Sequence, residues 1–566
     1  MLSFCAQYWY NRLRNIAVSI KYKECVTLNR LQNQLHKQTF LQGAIILILA
    51  NATVKIIGAI FKIPLTYLIG PNGMGIYSSA YEIWKWLFII ATAGFPVAVS
   101  KMVSESMARE NREEAHKIFR VAFCLLIVVG IAGTTTLFFG AGTFANLIGN
   151  SQARLAVIAM SPSLFFVALM SAYRGYFQGL QNMIPTAVSE VVEALGKLII
   201  GFLLAYILID KGVEYAAAGA ILGVTSGTFL GAVGLYLIYQ FSKKHVYGEI
   251  QAAIKQKIKV RSAKKILAEL VRVAIPITIG ASVFSLTSLI DAMMIMNRLQ
   301  SIGYSEEKAS MLFGYLQGYA VPLFNLPPTL IVALSISIVP AIANALAGNN
   351  LLKAKATTES ALRLTVLFSL PAGMGLFLLA GPIVELIYRD VGAEIILQIL
   401  GVAVLFVSLV LVSNAMLQAS GKVMIPVRNM IIGGFCKVVI NYFAVGIPEV
   451  NINGAPIGTT FCYLIITVLN LIEVRKVTKA EYHLVDFIIK PMIAVASMGV
   501  AVSFTYSRLM LYRQSNTQAT LGAIFIGATI YGLMLLAIGA IKKEDILMMP
   551  KGKAILKVLN KFGLMK

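Results

Sequence analysis

Runs of roughly 20 predominantly apolar residues, each long enough to cross about 30 Å of hydrocarbon as a helix, recur from Leu41 to Ile541. Within lipid a segment must satisfy its own backbone hydrogen bonds, and continuous apolar runs of this length do so as α-helices. Composition leads the same way. Of the 566 residues 58% are hydrophobic and 13% charged, against about 45–50% and about 25% in soluble domains. These values exclude a disordered or fibrous chain and argue against a soluble enzyme. The expected fold class is an all-α polytopic membrane protein of about 14 transmembrane helices. They start near Leu41, Tyr77, Phe119, Leu155, Pro185, Tyr215, Val271, Phe313, Leu362, Ile395, Pro426, Pro456, Phe487 and Leu521.

The loops between these runs are of two alternating kinds. With residues 1–40 placed in the cytoplasm, 36 of the 49 basic residues fall on the cytoplasmic side, 7 on the other side and 6 within or at the ends of spans. Lys and Arg gather in cytoplasmic loops, so both termini are expected inside. The skew also accounts for the net charge of +24 without nucleic acid; anionic membrane lipid is the expected partner of the basic segments. The chain divides into a basic N-terminal extension (1–40), helices 1–6 (41–242), a basic cytoplasmic linker (243–268), helices 7–12 (269–480), helices 13–14 (481–541) and a basic cytoplasmic tail (542–566). The extension lacks the apolar core of a cleavable signal peptide and reads as an interfacial segment. Five scattered cysteines without a CxxC pair speak against a disulfide or metal framework.

Helices 1–6 and 7–12 read as copies. Gln178-Gly179 leads to Met183-Ile184-Pro185, with Lys197 twelve residues past the proline; Gln418-Ala419 leads to Met424-Ile425-Pro426, with Lys437 eleven past it. Further on, Gly219-Ala220…Gly223 answers Gly454-Ala455…Gly458. Six spans per copy is even, so both copies start on one side and are related by a pseudo-two-fold along the membrane normal. Two such bundles enclose a mid-membrane cavity and rock against each other, the alternating-access design. Helices 13 and 14 fall outside the repeat.

Motifs for hydrolysis are missing. There is no GxxxxGK[ST] loop and no HExxH, the four histidines lie in polar segments, and the outer loops carry few carboxylates. The chain is expected to be no enzyme, with no catalytic residues, no metal and no cofactor, leaving coupling to Na+ or H+ open.

Ionisable residues inside a bilayer are costly and face a cavity or a partner. Lys55 and Lys62, seven apart, share one face of the first span. Glu82 and Lys85 follow on the second. These form a cavity set in which lysines hold an anionic head group and Glu82 pairs one of them when empty; the alternative is snorkelling to head groups. Glu190, Glu193 and Lys197 form one stripe on the fifth span. Either Glu193 and Lys197 satisfy each other, or one carboxylate is left to bind a cation or proton. Lys437 is the counterpart of Lys197. Asp291 and Arg298, seven apart on the seventh span, are expected to face the first-span counterparts, with an outer-end snorkel open for Arg298. Arg174, at the cytoplasmic end of the fourth span, is either a phosphate contact or an anchor.

Several stretches carry a family resemblance. Lys62-Ile63-Pro64-Leu65, Leu68-Ile69-Gly70-Pro71-Asn72-Gly73-Met74-Gly75-Ile76-Tyr77, Gly94-Phe95-Pro96 and Tyr173-Arg174-Gly175-Tyr176-Phe177-Gln178-Gly179-Leu180-Gln181-Asn182-Met183-Ile184-Pro185 resemble the stage V sporulation protein B type of polysaccharide exporter. That type belongs to the multidrug/oligosaccharidyl-lipid/polysaccharide (MOP) flippase superfamily, close to the lipid II flippases. The resemblance implies a monomeric flippase of the bacterial plasma membrane whose partner is a lipid-linked oligosaccharide, an undecaprenyl-pyrophosphate-linked cell-wall or polysaccharide precursor. It implies substrate contact at Lys55 and Lys62, which stand where the lipid II flippases carry arginines. The two extra helices would offer a groove for the lipid tail. A small-molecule or drug antiporter coupled to a cation is the alternative within the superfamily; a membrane enzyme or a scaffold of cell-wall assembly is the alternative outside it.

Overall fold

The computed structural model describes residues 40–253, 260–348, 350–482 and 485–540. The N-terminal extension up to residue 39 and the basic tail lie outside the described residues. Among the described residues there is no strand, and twelve helices are long and apolar enough to cross a membrane.

Helix α1 (Phe40–Thr92) has 53 residues, which would extend ~80 Å if straight. It is not straight. Gly70 has φ 65° and ψ −176°, a left-handed conformation that glycine adopts without penalty, and Pro71 follows. The rings of Phe61 and Tyr77 lie 6.4 Å apart, although 16 residues of continuous helix would separate them by roughly 24 Å. The chain therefore doubles back at Gly70, and α1 contains two spans. The second begins at Pro71, earlier than the apolar pattern from Tyr77 suggests, because the short polar Asn72-Gly73 stretch is wound into the helix.

The first half continues with α2 (Phe95–Ala108), α3 (Arg112–Phe139), α4 (Ala141–Ile148), α5 (Arg154–Gly179), α6 (Ile184–Leu208) and α7 (Val213–Ala253). The second half opens with α8 (Ala263–Ser301). Next comes α9 (Glu306–Gly314), which passes through a π-helical turn (Tyr315–Ala320) into α10 (Val321–Phe324) and α11 (Leu326–Ala347). It closes with α12 (Leu351–Leu378), α13 (Ala380–Tyr388), α14 (Glu394–Ala419), α15 (Met424–Val445) and α16 (Gly454–Thr478). Two further helices follow, α17 (Lys490–Arg513) and α18 (Asn516–Ala537).

Local detail repeats between the halves. Helices α3 and α12 both have 28 residues and both start at an asparagine, Asn111 and Asn350, whose side-chain oxygen accepts from the backbone N–H three residues on. That contact satisfies an otherwise orphaned donor at a helix start. Short helices of 8 and 9 residues come next, then α5 and α14 with 26 residues each.

One hydrophobic cluster runs through both halves, from Phe61 and Met102 to Met296, Phe313 and Ile396. At one end the halves meet closely. Asn150 donates to Ser79 Oγ (3.2 Å) and Ser310 Oγ (3.1 Å), and Glu306 accepts from Ser151 Oγ at 2.7 Å. Gly75 and Gly314 allow this approach: a methyl on Gly75 would overlap the Ser310 carbonyl oxygen, and one on Gly314 the Pro71 carbonyl oxygen, as small residues do at membrane-helix crossings. At the other end Arg261 pairs with Glu114 and Glu269. Phe139, Phe435 and Phe525 are largely exposed, an outer surface suited to acyl chains rather than water. Helices α17 and α18 dock on the second half through Tyr531, which donates to the Leu367 carbonyl (2.8 Å), and Asn516, which donates to that of Pro382 (3.0 Å).

Candidate functional site

Each half contains a cavity with a lysine on its wall. In the first half a cavity of ≈ 260 Å³ lies between α1, α5, α6 and α7, lined among others by Asn51, Tyr81, Trp84, Arg174, Glu190, Glu193 and Lys197. Glu193 does not pair with Lys197. It takes Arg174 from the neighbouring helix, Nη2 to Oε2 at 3.0 Å, while Arg174 Nε donates to Ser189 Oγ at 3.0 Å. The planar guanidinium fork reaches two acceptors on α6 at once, which a lysine one turn away cannot match. Lys197 instead lies against three rings, its Nζ 5.2, 5.9 and 5.3 Å from the centroids of Phe61, Tyr77 and Tyr81. Ring faces attract a cation without neutralising it. Glu190 lines the same cavity, and its buried Oε2 has no hydrogen-bond donor.

The second-half cavity, ≈ 240 Å³, lies between α8, α14, α15 and α16. Here the lysine is neutralised: Lys437 Nζ is 2.7 Å from Asp291 Oδ2, and Asn441, one turn further, donates to Asp291 Oδ1. Asp291 was expected to face first-span counterparts; it faces the fifth span of its own half, because α8 packs along α15. Arg298 likewise turns to α15. Its Nε donates to the Tyr442 carbonyl at 3.0 Å, and the guanidinium lies 4.5 Å from that ring's centroid.

Lys62 joins the halves. Its Nζ donates to the Gln317 carbonyl, 255 positions away, at 2.8 Å. The acceptor exists for a reason readable in the backbone. Through the π-turn Val321 N–H bonds Leu316 O, and Pro322, the next residue, has no N–H to offer Gln317. A buried carbonyl left over in this way needs another donor, and Lys62 supplies it. Glu82 and Lys85 pair at 3.3 Å on the second span, as their spacing suggests. Lys55 is exposed on the face of Lys62 and has no hydrogen-bond or ion-pair partner among the described residues.

The charged residues stand out in the sequence; the aromatic cage of Phe61, Tyr77 and Tyr81 and the Gln317 carbonyl do not. Aromatic residues are ordinary in spans and carry no signal alone. Pro322 was the available clue, since a proline past the first turn of a helix withholds the N–H that a carbonyl about one turn back would take.

A family model described as "Polysaccharide biosynthesis protein" matches residues 40–346, more than half of the chain, and the MatE model matches residues 317–443. Stage V sporulation protein B of Bacillus subtilis (strain 168) is 26% identical over 515 residues, covering 91% of this chain and 98% of the relative. Lipid II flippase MurJ of the same organism is 27% identical over 523 residues, 88% of this chain and 94% of the relative. Among solved structures, lipid II flippase MurJ in an inward closed conformation overlays with a TM-score of 0.65 at 16% identity, covering 87% of this chain and 98% of that one. With its twelve membrane-length helices and its paired bundles, the chain belongs to the polysaccharide biosynthesis protein family.

Proposed function

We propose that the protein is an alternating-access flippase that moves an undecaprenyl-pyrophosphate-linked saccharide, a cell-wall or polysaccharide precursor such as lipid II, across the bacterial plasma membrane, with both termini in the cytoplasm. The observation that carries this reading is Lys62. It is a lysine deep in a span, placed between the halves, whose acceptor is a backbone carbonyl rather than a carboxylate. A lysine within a span that is held by a carbonyl rather than by a direct ion pair is free to meet an anionic ligand, and a head group passing between the halves is that ligand. Lys55 stands exposed on the same face, toward the proposed cytoplasmic entry. The groove of ≈ 290 Å³ lined by Leu370, Met374, Phe377, Leu405, Phe406 and Val495 runs between α12, α14 and α17 and suits an isoprenoid tail. Glu190, with its donor-free oxygen, is the residue for proton or Na+ coupling.

Depletion in the native host, followed by an assay of precursor exposure on the outer leaflet, tests the reading. Exposure should fall on depletion, return with wild-type protein, and stay low with Lys62→Ala despite normal expression. Unchanged exposure on depletion would overturn it. The free Glu190 oxygen also favours a second reading, a cation-coupled small-molecule antiporter. In that case Glu190→Gln abolishes transport of the small molecule and Lys62→Ala is silent.

A further inference from the structure

The end of α8 remote from the basic linker carries a groove of ≈ 410 Å³ against α15. Its wall on α8 is a single stripe: Ile290, Met293 and Met294, then Asn297, Arg298 and Ser301, positions three or four apart that share one helix face. The stripe changes character along its length. It is apolar from Ile290 to Met294 and polar from Asn297 onward, where the half-exposed Tyr442 of α15 joins it. From Ile290 to Ser301 the helix rises ~16 Å, about half of a hydrocarbon core ~30 Å thick and so the depth of one leaflet. The two methionines are unbranched and adapt to a chain of varying shape.

Arg298 is fixed at the polar end by neutral partners. Nε donates to the Tyr442 carbonyl at 3.0 Å, Nη1 to Ser301 Oγ at 3.3 Å, and the guanidinium carbon lies 4.5 Å from the Tyr442 ring centroid. Gly446 makes room for it, since a methyl there would come within 2.5 Å of Nε. Two of the five N–H donors are used in this way and three remain. Among the described residues no carboxylate lies within ion-pair distance of the guanidinium. An arginine so held keeps its full charge and presents a fork of donors in fixed geometry, the arrangement that recognises phosphate. A free phosphate has no use for the apolar stripe, and an acyl chain has none for the arginine. A molecule that carries both at this spacing uses the whole groove.

We propose that this groove is a phospholipid site, with the lipid phosphate on Arg298 and an acyl chain along Met294, Met293 and Ile290. In the orientation proposed above the lipid belongs to the outer leaflet, and the site is independent of the cargo. Its place at the seam gives it a role. On the same turns of α8, Asn297 donates to the Leu147 carbonyl of the first half at 3.1 Å and Gln300 to that of Gly149 at 2.5 Å. A lipid lodged in the groove therefore props the helix end that holds the halves together. The full chain, stripped of lipid in detergent, is titrated with dioleoylphosphatidylglycerol, and bound lipid is counted by native mass spectrometry. Dioleoylglycerol, which lacks the phosphate, and glycerol 1-phosphate, which lacks the chains, are the comparison ligands; each should bind at least about tenfold more weakly. Arg298→Gln should weaken phosphatidylglycerol by about ten- to a hundredfold, the loss of one charge-assisted contact, and Arg298→Lys by less. Met294→Trp, which fills the apolar end and leaves the arginine in place, should weaken it severalfold, and this holds the test together if Arg298→Gln does not fold. Arg508, whose guanidinium lies 5.2 Å from the ring centroid of Phe504 but which does not line the groove, is the control; Arg508→Gln should bind like wild type. Wild-type affinity in Arg298→Gln or in Met294→Trp would overturn the site, as would an equal loss in Arg508→Gln. Glycerol 1-phosphate or dioleoylglycerol binding as tightly as the intact lipid would overturn it too, leaving a free-anion site or a plain apolar surface.

Discussion

Lys437 Nζ and Asp291 Oδ2, 2.7 Å apart, tie the first and fifth spans of the second half through a pair whose side chains are 21% and 7% exposed. Removing one partner of such a pair leaves a buried charge, at a cost of about 3–5 kcal/mol, whereas replacing both is far milder. Asp291→Asn should therefore lower the thermal unfolding midpoint in detergent clearly, and Asp291→Asn with Lys437→Gln should recover most of it. Additive losses in the double variant would contradict a coupled pair.

The close meeting of the halves around Ser151 and Glu306 has to part if the transporter alternates. In a cysteine-free background, Ser151→Cys with Glu306→Cys should cross-link readily and arrest export, and reductant should restore it. Cross-linked protein that still exports at the wild-type rate would place the moving gate elsewhere.

Gly75 and Gly314 sit where backbones nearly touch. Overpacking such a contact costs about 1–3 kcal/mol. Gly75→Val or Gly314→Val should wedge this end apart, raising the reactivity of a cysteine at Ser79 toward a water-soluble maleimide by severalfold over the glycine parent. Unaltered reactivity would mean that the closure rests on other contacts.

Pro322 makes the Gln317 carbonyl available to Lys62. In the wild-type background Lys62→Ala should cost about 1–3 kcal/mol, the cost of leaving a buried acceptor unmade. Pro322→Ala returns a backbone N–H to the turn, so the same substitution should cost measurably less there. A double-mutant cycle on unfolding free energies checks this; a coupling near zero argues that the lysine and the turn are independent.

What could be read from the chain alone depended on the range of the interaction. Glu82 and Lys85 are three apart on one helix, and their pairing follows from periodicity. The stripe of Glu190, Glu193 and Lys197 was equally visible, but its pairing was not, because Arg174 approaches from α5 and takes Glu193. Helical spacing says which side chains share a face and nothing of what the next helix brings to it. The apolar runs marked the spans for the same local reason. The boundary at Gly70 was blurred, since one glycine with positive φ replaces the loop that a hydropathy pattern expects. Asp291 and Lys437 were each singled out as charges within apolar segments; only the packing of α8 along α15 makes them partners.

That turn at Gly70 has a mechanical consequence. With no linker between its two arms, α1 behaves as a rigid hairpin pin: Lys62 rides on one leg and the Glu82–Lys85 pair on the other. Any stroke that withdraws the lysine from the opposite half must carry the second leg with it, so movement at Lys62 is geared directly to movement at the seam where Gly75 lies.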